Sequence, residues 1–131
     1  MGTNEFEMTA TFAVAPEAIF DAWLSSEGHS QMTASPANVE ERIDGAFSAW
    51  DGYIWGVTRE IERPHRILQA WRTSEFPEDS PDSLVEILLE KVEGGTRLTL
   101  KHTNIPEGQA EEYKQGWEDF YFKPMKGYFG K

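Results

Sequence analysis

The chain has 131 residues, no cysteine and a formal charge of −11, from 23 Asp and Glu against 12 Lys and Arg. A chain of this length builds one domain, residues 1–131, around one sizeable core, and without thiols it has no disulfide framework, thiolate metal site or cysteine nucleophile. So acidic a surface repels nucleic acid and anionic membranes, which leaves a basic protein patch or a neutral small molecule as the partners that charge permits.

The opening MGTNEFEM has neither a basic nor an apolar segment and reads as no secretory signal. It begins Met-Gly, but Phe6 stands where a myristoylation motif needs Ser or Thr. Ile87-Leu88-Leu89 is the longest aliphatic run, far short of a span, so a cytoplasmic protein is expected.

In chain order, Phe6, Met8, Ala10 and Phe12 alternate with Glu and Thr, which predicts a half-buried strand. Pro16 suits the first turn of a helix whose stripe is Ile19, Phe20, Trp23 and Leu24. Ser25 and Ser26 can cap a second short helix over about Glu27 to Met32. After the TASPAN loop come short strands: VEERI, an Asp44-Gly45 turn, AFSAW, an Asp51-Gly52 turn, YIWGVTREIE up to Pro64, then RILQAWR. SEFPEDSPDS reads as an exposed acidic loop, and SLVEILLEKV and TRLTLKHTN form a hairpin across Glu93-Gly94-Gly95.

From Pro106 onward the pattern is helical. Tyr113, Trp117, Phe120, Tyr121, Pro124 and Tyr128 share one face at 3.6-residue spacing. Gly116 lies beside Trp117 and lets a backbone or ligand come close, at about 1 kcal/mol against Ala. Pro124 has no N–H for the ladder and should kink or loosen the last turns. Such an aromatic helix needs a broad apolar surface, and a curved antiparallel sheet of about six or seven strands wrapped around it supplies one. The fold class is α+β, with two short helices after the first strand and a cavity between sheet and helix.

Signatures of catalysis are absent: there is no GxSxG, P-loop, GxGxxG or HExxH. His29, His65 and His102 lie far apart, so no metal site is expected, and no cofactor. The carboxylate pairs Glu40-Glu41, Glu78-Asp79 and Glu111-Glu112 sit in polar runs that read as solvated faces. Candidate ligand-binding residues lie on the apolar sides of the elements instead. His102 alternates with Leu98 and Leu100, and is either a satisfied histidine near a strand end or a neutral imidazole aimed into the cavity. Trp55 and Arg59 share one side of their strand with Val57 and Ile61. An unpaired buried guanidinium is too costly, so Arg59 pairs with a carboxylate, reaches water, meets an anionic ligand, or is turned outward by a bulge. Phe47 and Trp71 join the same interior, facing Trp117, Phe120 and Tyr121 of the helix.

With REIERPHRILQAW, GGTRLTLKHTNIPEG and KQGWEDFYFKPMKGYF in this order, the chain resembles the family named for the activator of heat-shock protein 90 ATPase, from about Phe6 onward. That family falls within the START and birch-pollen-allergen-like superfamily, also called SRPBCC. The resemblance implies the helix-grip fold and a non-catalytic binding domain holding a small hydrophobic or amphipathic ligand. It also implies, as an alternative, a co-chaperone-like interaction with a heat-shock protein 90 family chaperone. A further alternative is an enzyme of the cyclase or dehydratase kind, for which His102 is the candidate acid or base. The co-chaperone of this family carries a separate N-terminal domain that contributes to ATPase stimulation, and nothing of that kind precedes the first strand here. Binding to a chaperone is therefore the expectation, rather than stimulation by this chain alone.

Overall fold

A computed structural model describes residues 4–129. Strand β1 (Phe6–Phe12) is followed by helices α1 (Pro16–Trp23) and α2 (Ser26–Thr33). Strands β2 (Asn38–Val39), β3 (Ala46–Ala49), β4 (Ile54–Glu62), β5 (Arg66–Thr73), β6 (Ser83–Val92) and β7 (Gly95–Thr103) come next. The terminal helix runs as α3 (Ala110–Trp117), a π-helical turn (Glu118–Phe122) and α4 (Lys123–Phe129). The seven strands form one curved antiparallel sheet in the order β1-β7-β6-β5-β4-β3-β2, the helix-grip arrangement expected. Among the described residues no helix is long and apolar enough to cross a membrane.

The inner face of the sheet follows from the alternation. Phe6, Met8 and Ala10 of β1 sit opposite His102, Leu100 and Leu98 of β7, and Leu100 and Leu98 in turn oppose Ile87 and Leu89 of β6. Onto this face pack Phe20 and Trp23 from α1 and Phe122 and Met125 from the terminal helix, all buried. Ser25 caps α2 by accepting from the Gly28 N–H at 3.0 Å. The expected VEERI strand shrinks to Asn38–Val39, because the Arg42–Gly45 turn and the left-handed Asp44 (φ 67°) take the chain out of extended geometry.

Two expectations need correction. The register of β4 against β5 shifts between Thr58 and Glu60, so Arg59 is the extra residue of a bulge. Ahead of it Ile54, Gly56 and Thr58 face inward opposite Thr73, Trp71 and Gln69; beyond it Ile61 opposes Ile67. Trp55 and Val57 therefore lie on the outer face, Trp55 40% exposed, which corrects their placement, whereas Arg59 points to solvent through the bulge that is one of its alternatives. Alternation misled because this inner face is partly polar: Gln69 donates to Thr58 Oγ1 at 3.1 Å and accepts from Trp23 Nε1 at 3.2 Å. The second correction concerns the terminal helix. Its buried face is Tyr113, Trp117, Tyr121, Phe122 and Met125, while Phe120 and Tyr128 are exposed. A π turn takes more residues per revolution, so the face slips by about one position across Glu118–Phe122. The turn lies directly before Pro124, whose ring would press on the carbonyl four residues back in an α-helix.

Candidate functional site

Between the β3–β4 end of the sheet and the terminal helix lies a cavity of about 350 Å³. Ile54 of β4 and Trp71 of β5 form its floor, with Trp50 and Tyr53 of the β3–β4 turn at its rim. The helix contributes Glu112, Tyr113, Gly116, Trp117, Phe120 and Tyr121. Phe120, 53% exposed, stands at the mouth with its ring edge to face with Trp50, centroids 5.2 Å apart.

The inner wall is rigidly tied. Trp71 packs against Tyr113 at 5.2 Å and Trp117 at 5.6 Å between centroids. Trp117 Nε1 donates to His102 Nδ1 at 3.1 Å, and His102 Nε2–H donates to Ser83 Oγ at 2.9 Å, which in turn donates to the Trp71 carbonyl at 2.7 Å. One tautomer of His102 satisfies both contacts. Burial lowers its pKa to about 3, so the ring is neutral at ordinary pH. On the other side Tyr121 donates to His29 Nε2 at 2.6 Å while His29 Nδ1–H donates to the Trp23 carbonyl at 2.9 Å. Burial holds His29 down to about 4 and pushes the Tyr121 phenol up.

The rim is more polar. Tyr113 donates to Gln109 Oε1 at 2.6 Å and lies 2.8 Å from Thr73 Oγ1. Desolvation raises the Tyr53 and Tyr113 phenols. The Glu112 carboxyl is held above its usual range, first by a hydrogen bond with Glu75 and then by partial burial. Trp50 sits at φ 51° in the left-handed region, and its Nε1 is buried without an acceptor.

Of the eight residues named from the sequence, the cavity gathers Trp71, Trp117, Phe120 and Tyr121. Phe47 is buried in the core above Gly56, whose position tolerates no β-carbon because one would lie 1.8 Å from the Ala70 carbonyl oxygen. His102 is sealed behind Trp71 and Trp117 with both ring nitrogens engaged, so it faces the wall and not the cavity. Trp55 and Arg59 are on the far face for the reason given above. Trp50, Tyr53, Ile54 and Glu112 are not anticipated as site residues at all, while Tyr113 and Gly116 are singled out on the helix face without being among the eight candidates. The signal for the first two was an aromatic on each side of the Asp51-Gly52 turn. Chemically the site offers an aromatic enclosure whose inner hydroxyl and imidazole groups are already paired.

Residues 13–130 match the family model described as Activator of Hsp90 ATPase homolog 1-like protein. The chain is 27% identical over 128 residues to the human Activator of 90 kDa heat shock protein ATPase homolog 1, covering 98% of this chain and 38% of that protein. It is 25% identical over 118 residues to the Activator of 90 kDa heat shock protein ATPase homolog of Dictyostelium discoideum, covering 88% and 30% respectively. This chain thus spans well under half the length of these curated relatives. A crystal structure of an HSP90 activator from Plasmodium falciparum superimposes with a TM-score of 0.87 at 31% identity, covering 97% of this chain and 96% of that one. The Aha1 dimer from Colwellia psychrerythraea shares the fold, with a TM-score of 0.77 at 14% identity and coverage of 95% and 96%.

Proposed function

This chain belongs to the family of Activator of Hsp90 ATPase homolog 1-like proteins, and from that starting point we propose that it is a non-catalytic binding domain which holds a small apolar or amphipathic molecule between sheet and terminal helix. The observation that carries this is the cavity of about 350 Å³, lined chiefly by aromatic rings. Its volume lies at the small end of the range for ligand pockets. Burial of an apolar molecule there supports a dissociation constant on the order of micromolar.

Gly116 gives the direct test. It lies within a helix at an ordinary φ, and a β-carbon there would touch only Phe120 Cδ2 at 3.8 Å, so packing does not require glycine. Gly116→Leu fills the cavity from the helix side, whereas Gly127→Ala changes the same helix where nothing lies within 4 Å. Naphthalene titrated into the protein should shift the indole resonances of Trp71 and Trp117 in the native chain and in Gly127→Ala, and leave Gly116→Leu unmoved. Equal shifts in Gly116→Leu, or none in the native chain, would overturn the ligand reading.

A second reading rests on the comparisons. The Plasmodium chain of nearly the same extent is described as an HSP90 activator, which supports contact between this domain and a 90-kDa chaperone. Calorimetry with that chaperone should show binding that weakens with salt if the −11 charge meets a basic patch. No heat at tens of micromolar protein would count against it. The cyclase or dehydratase reading loses its candidate acid or base, since both nitrogens of His102 are occupied and the ring is shut off from the cavity.

A further inference from the structure

Seven of the ten residues lining the cavity are aromatic and one is charged, Glu112. The rings stand at steep angles to one another rather than in one flat stack: Trp71 lies at 81° to Tyr113, Trp117 at 52° to Tyr121, and Phe120 at 63° to Trp50. A molecule inside is therefore met by π systems from several directions. Because an aromatic ring is negative over its faces, such an enclosure favours a cation over an anion.

The polar groups of the lining point the same way. Tyr121 donates to His29, Tyr113 to Gln109 and Trp117 to His102, so these three donors are already engaged and not offered to an anion. No Lys, Arg or His is among the described lining residues. Glu75 is hydrogen-bonded to Glu112 and, with partial burial, keeps the Glu112 carboxyl above its usual range. Burial first, and then the charges of these two glutamates, raise the Tyr53 and Tyr113 phenols, so both carboxylates lie near two hydroxyls of the cavity. Like charges held together repel, and an arriving cation relieves that repulsion. The net charge of −11 draws cations toward the molecule as a whole.

We propose that the cavity takes a singly charged alkylated ammonium compound with an apolar ring or chain, its head among the aromatic rings and within reach of Glu112 and Glu75. This rests on the ligand reading above and adds the chemical class. Alkylation matters because a bare ammonium is strongly hydrated, whereas a head covered by methyl groups gives up little water on entering an apolar space.

Three phenyl compounds of similar outline separate the possibilities: phenyltrimethylammonium is a cation, tert-butylbenzene is its neutral counterpart, and benzenesulfonate is an anion. Each is titrated into the full chain at one ionic strength and followed through the indole N–H resonances. Phenyltrimethylammonium should bind roughly five- to thirtyfold tighter than tert-butylbenzene, and benzenesulfonate should bind most weakly. The N-methyl proton resonance should move upfield on binding, since protons over a ring face are shielded and those at a ring edge are not. Glu75→Gln with Glu112→Gln should weaken phenyltrimethylammonium about fivefold and leave tert-butylbenzene unchanged. Glu7→Gln with Glu90→Gln, which removes the same charge from exposed positions of β1 and β6, should change neither. A cation that binds no tighter than the hydrocarbon, an N-methyl signal that stays in place or moves downfield, tightest binding by the sulfonate, or equal effects of the two double variants would overturn the inference while the ligand reading survives. If none of the three binds and naphthalene does not either, both fall. The comparison in the native chain decides the matter even if a variant does not fold.

Discussion

The two ends of the sheet receive the terminal helix differently. At the β1–β7–β6 end Phe12, Ile87, Leu98 and Leu100 meet Phe122 and Met125, and every one of these is fully buried or nearly so. At the β3–β4 end Trp50, Tyr53 and Phe120 are half-buried or exposed and leave the cavity between them. The same helix thus closes a dry core at one end and stands off the sheet at the other. Stability and the proposed binding should therefore be separable along one element, because packing loss is costly only where side chains already interlock.

That contrast can be broken most forcefully at the closed end. Phe122→Ala should lower unfolding free energy by about 3–5 kcal/mol in denaturant titration; a loss under 1 kcal/mol would show that the closed end is not where the fold is held.

Acid should attack the wall between the two ends. His29 and His102 have folded-state pKa values depressed to about 4 and about 3 against an ordinary 6.5, both chiefly by burial. The unfolded chain then binds more protons below pH 6.5, so their contribution is whole above that pH and is lost as pH falls toward the folded values. Each should steepen the decline by about 1.4 kcal/mol per pH unit. His29→Gln should roughly halve the slope of stability against pH between 6.5 and 4.5; an unchanged slope would mean that His29 is not buried neutral.

Smaller effects belong to the open end. Gly116→Ala should stabilise the protein by about 1 kcal/mol through helix propensity, as Gly127→Ala should, while only the former crowds the cavity. Thermal unfolding measures the first statement and naphthalene titration the second. Phe120→Ala should change stability by less than about 0.5 kcal/mol because the ring is mostly exposed. It should nevertheless speed naphthalene release, which line broadening in a titration reports.

The closed end was the more legible of the two in the sequence. Phe6, Met8, Ala10 and Phe12 alternate strictly, and Gly94-Gly95 marks a hairpin, so β1, β6 and β7 could be read with their inner faces. The open end could not. A bulge at Arg59 is one of the alternatives the sequence leaves open, but no local pattern fixes that it forms or which side of β4 faces inward ahead of it. The π turn moves the buried face from Phe120 to Phe122, a slip that a fixed period of 3.6 cannot foresee. His29 sits in the polar run SEGHSQMT, where nothing signals that Tyr121, far along the chain, will bond it. Trp71, Trp117, Phe120 and Tyr121 could be read from aromatic spacing, whereas Trp50, Tyr53 and Ile54 reach the cavity only through the tertiary placement of the β3–β4 turn.

Ser83 has a wider consequence than its size suggests. Its one hydroxyl braces three elements at once, receiving from the imidazole of β7, giving to the backbone of β5, and through that imidazole anchoring the indole of α3. The back of the cavity is thereby fixed by the fold itself, so that on the ligand reading proposed above little affinity would be lost to organising it. The Trp50 and Phe120 lip has no such brace, so on that reading any difference in outline among ligands would be met there and not at the rear.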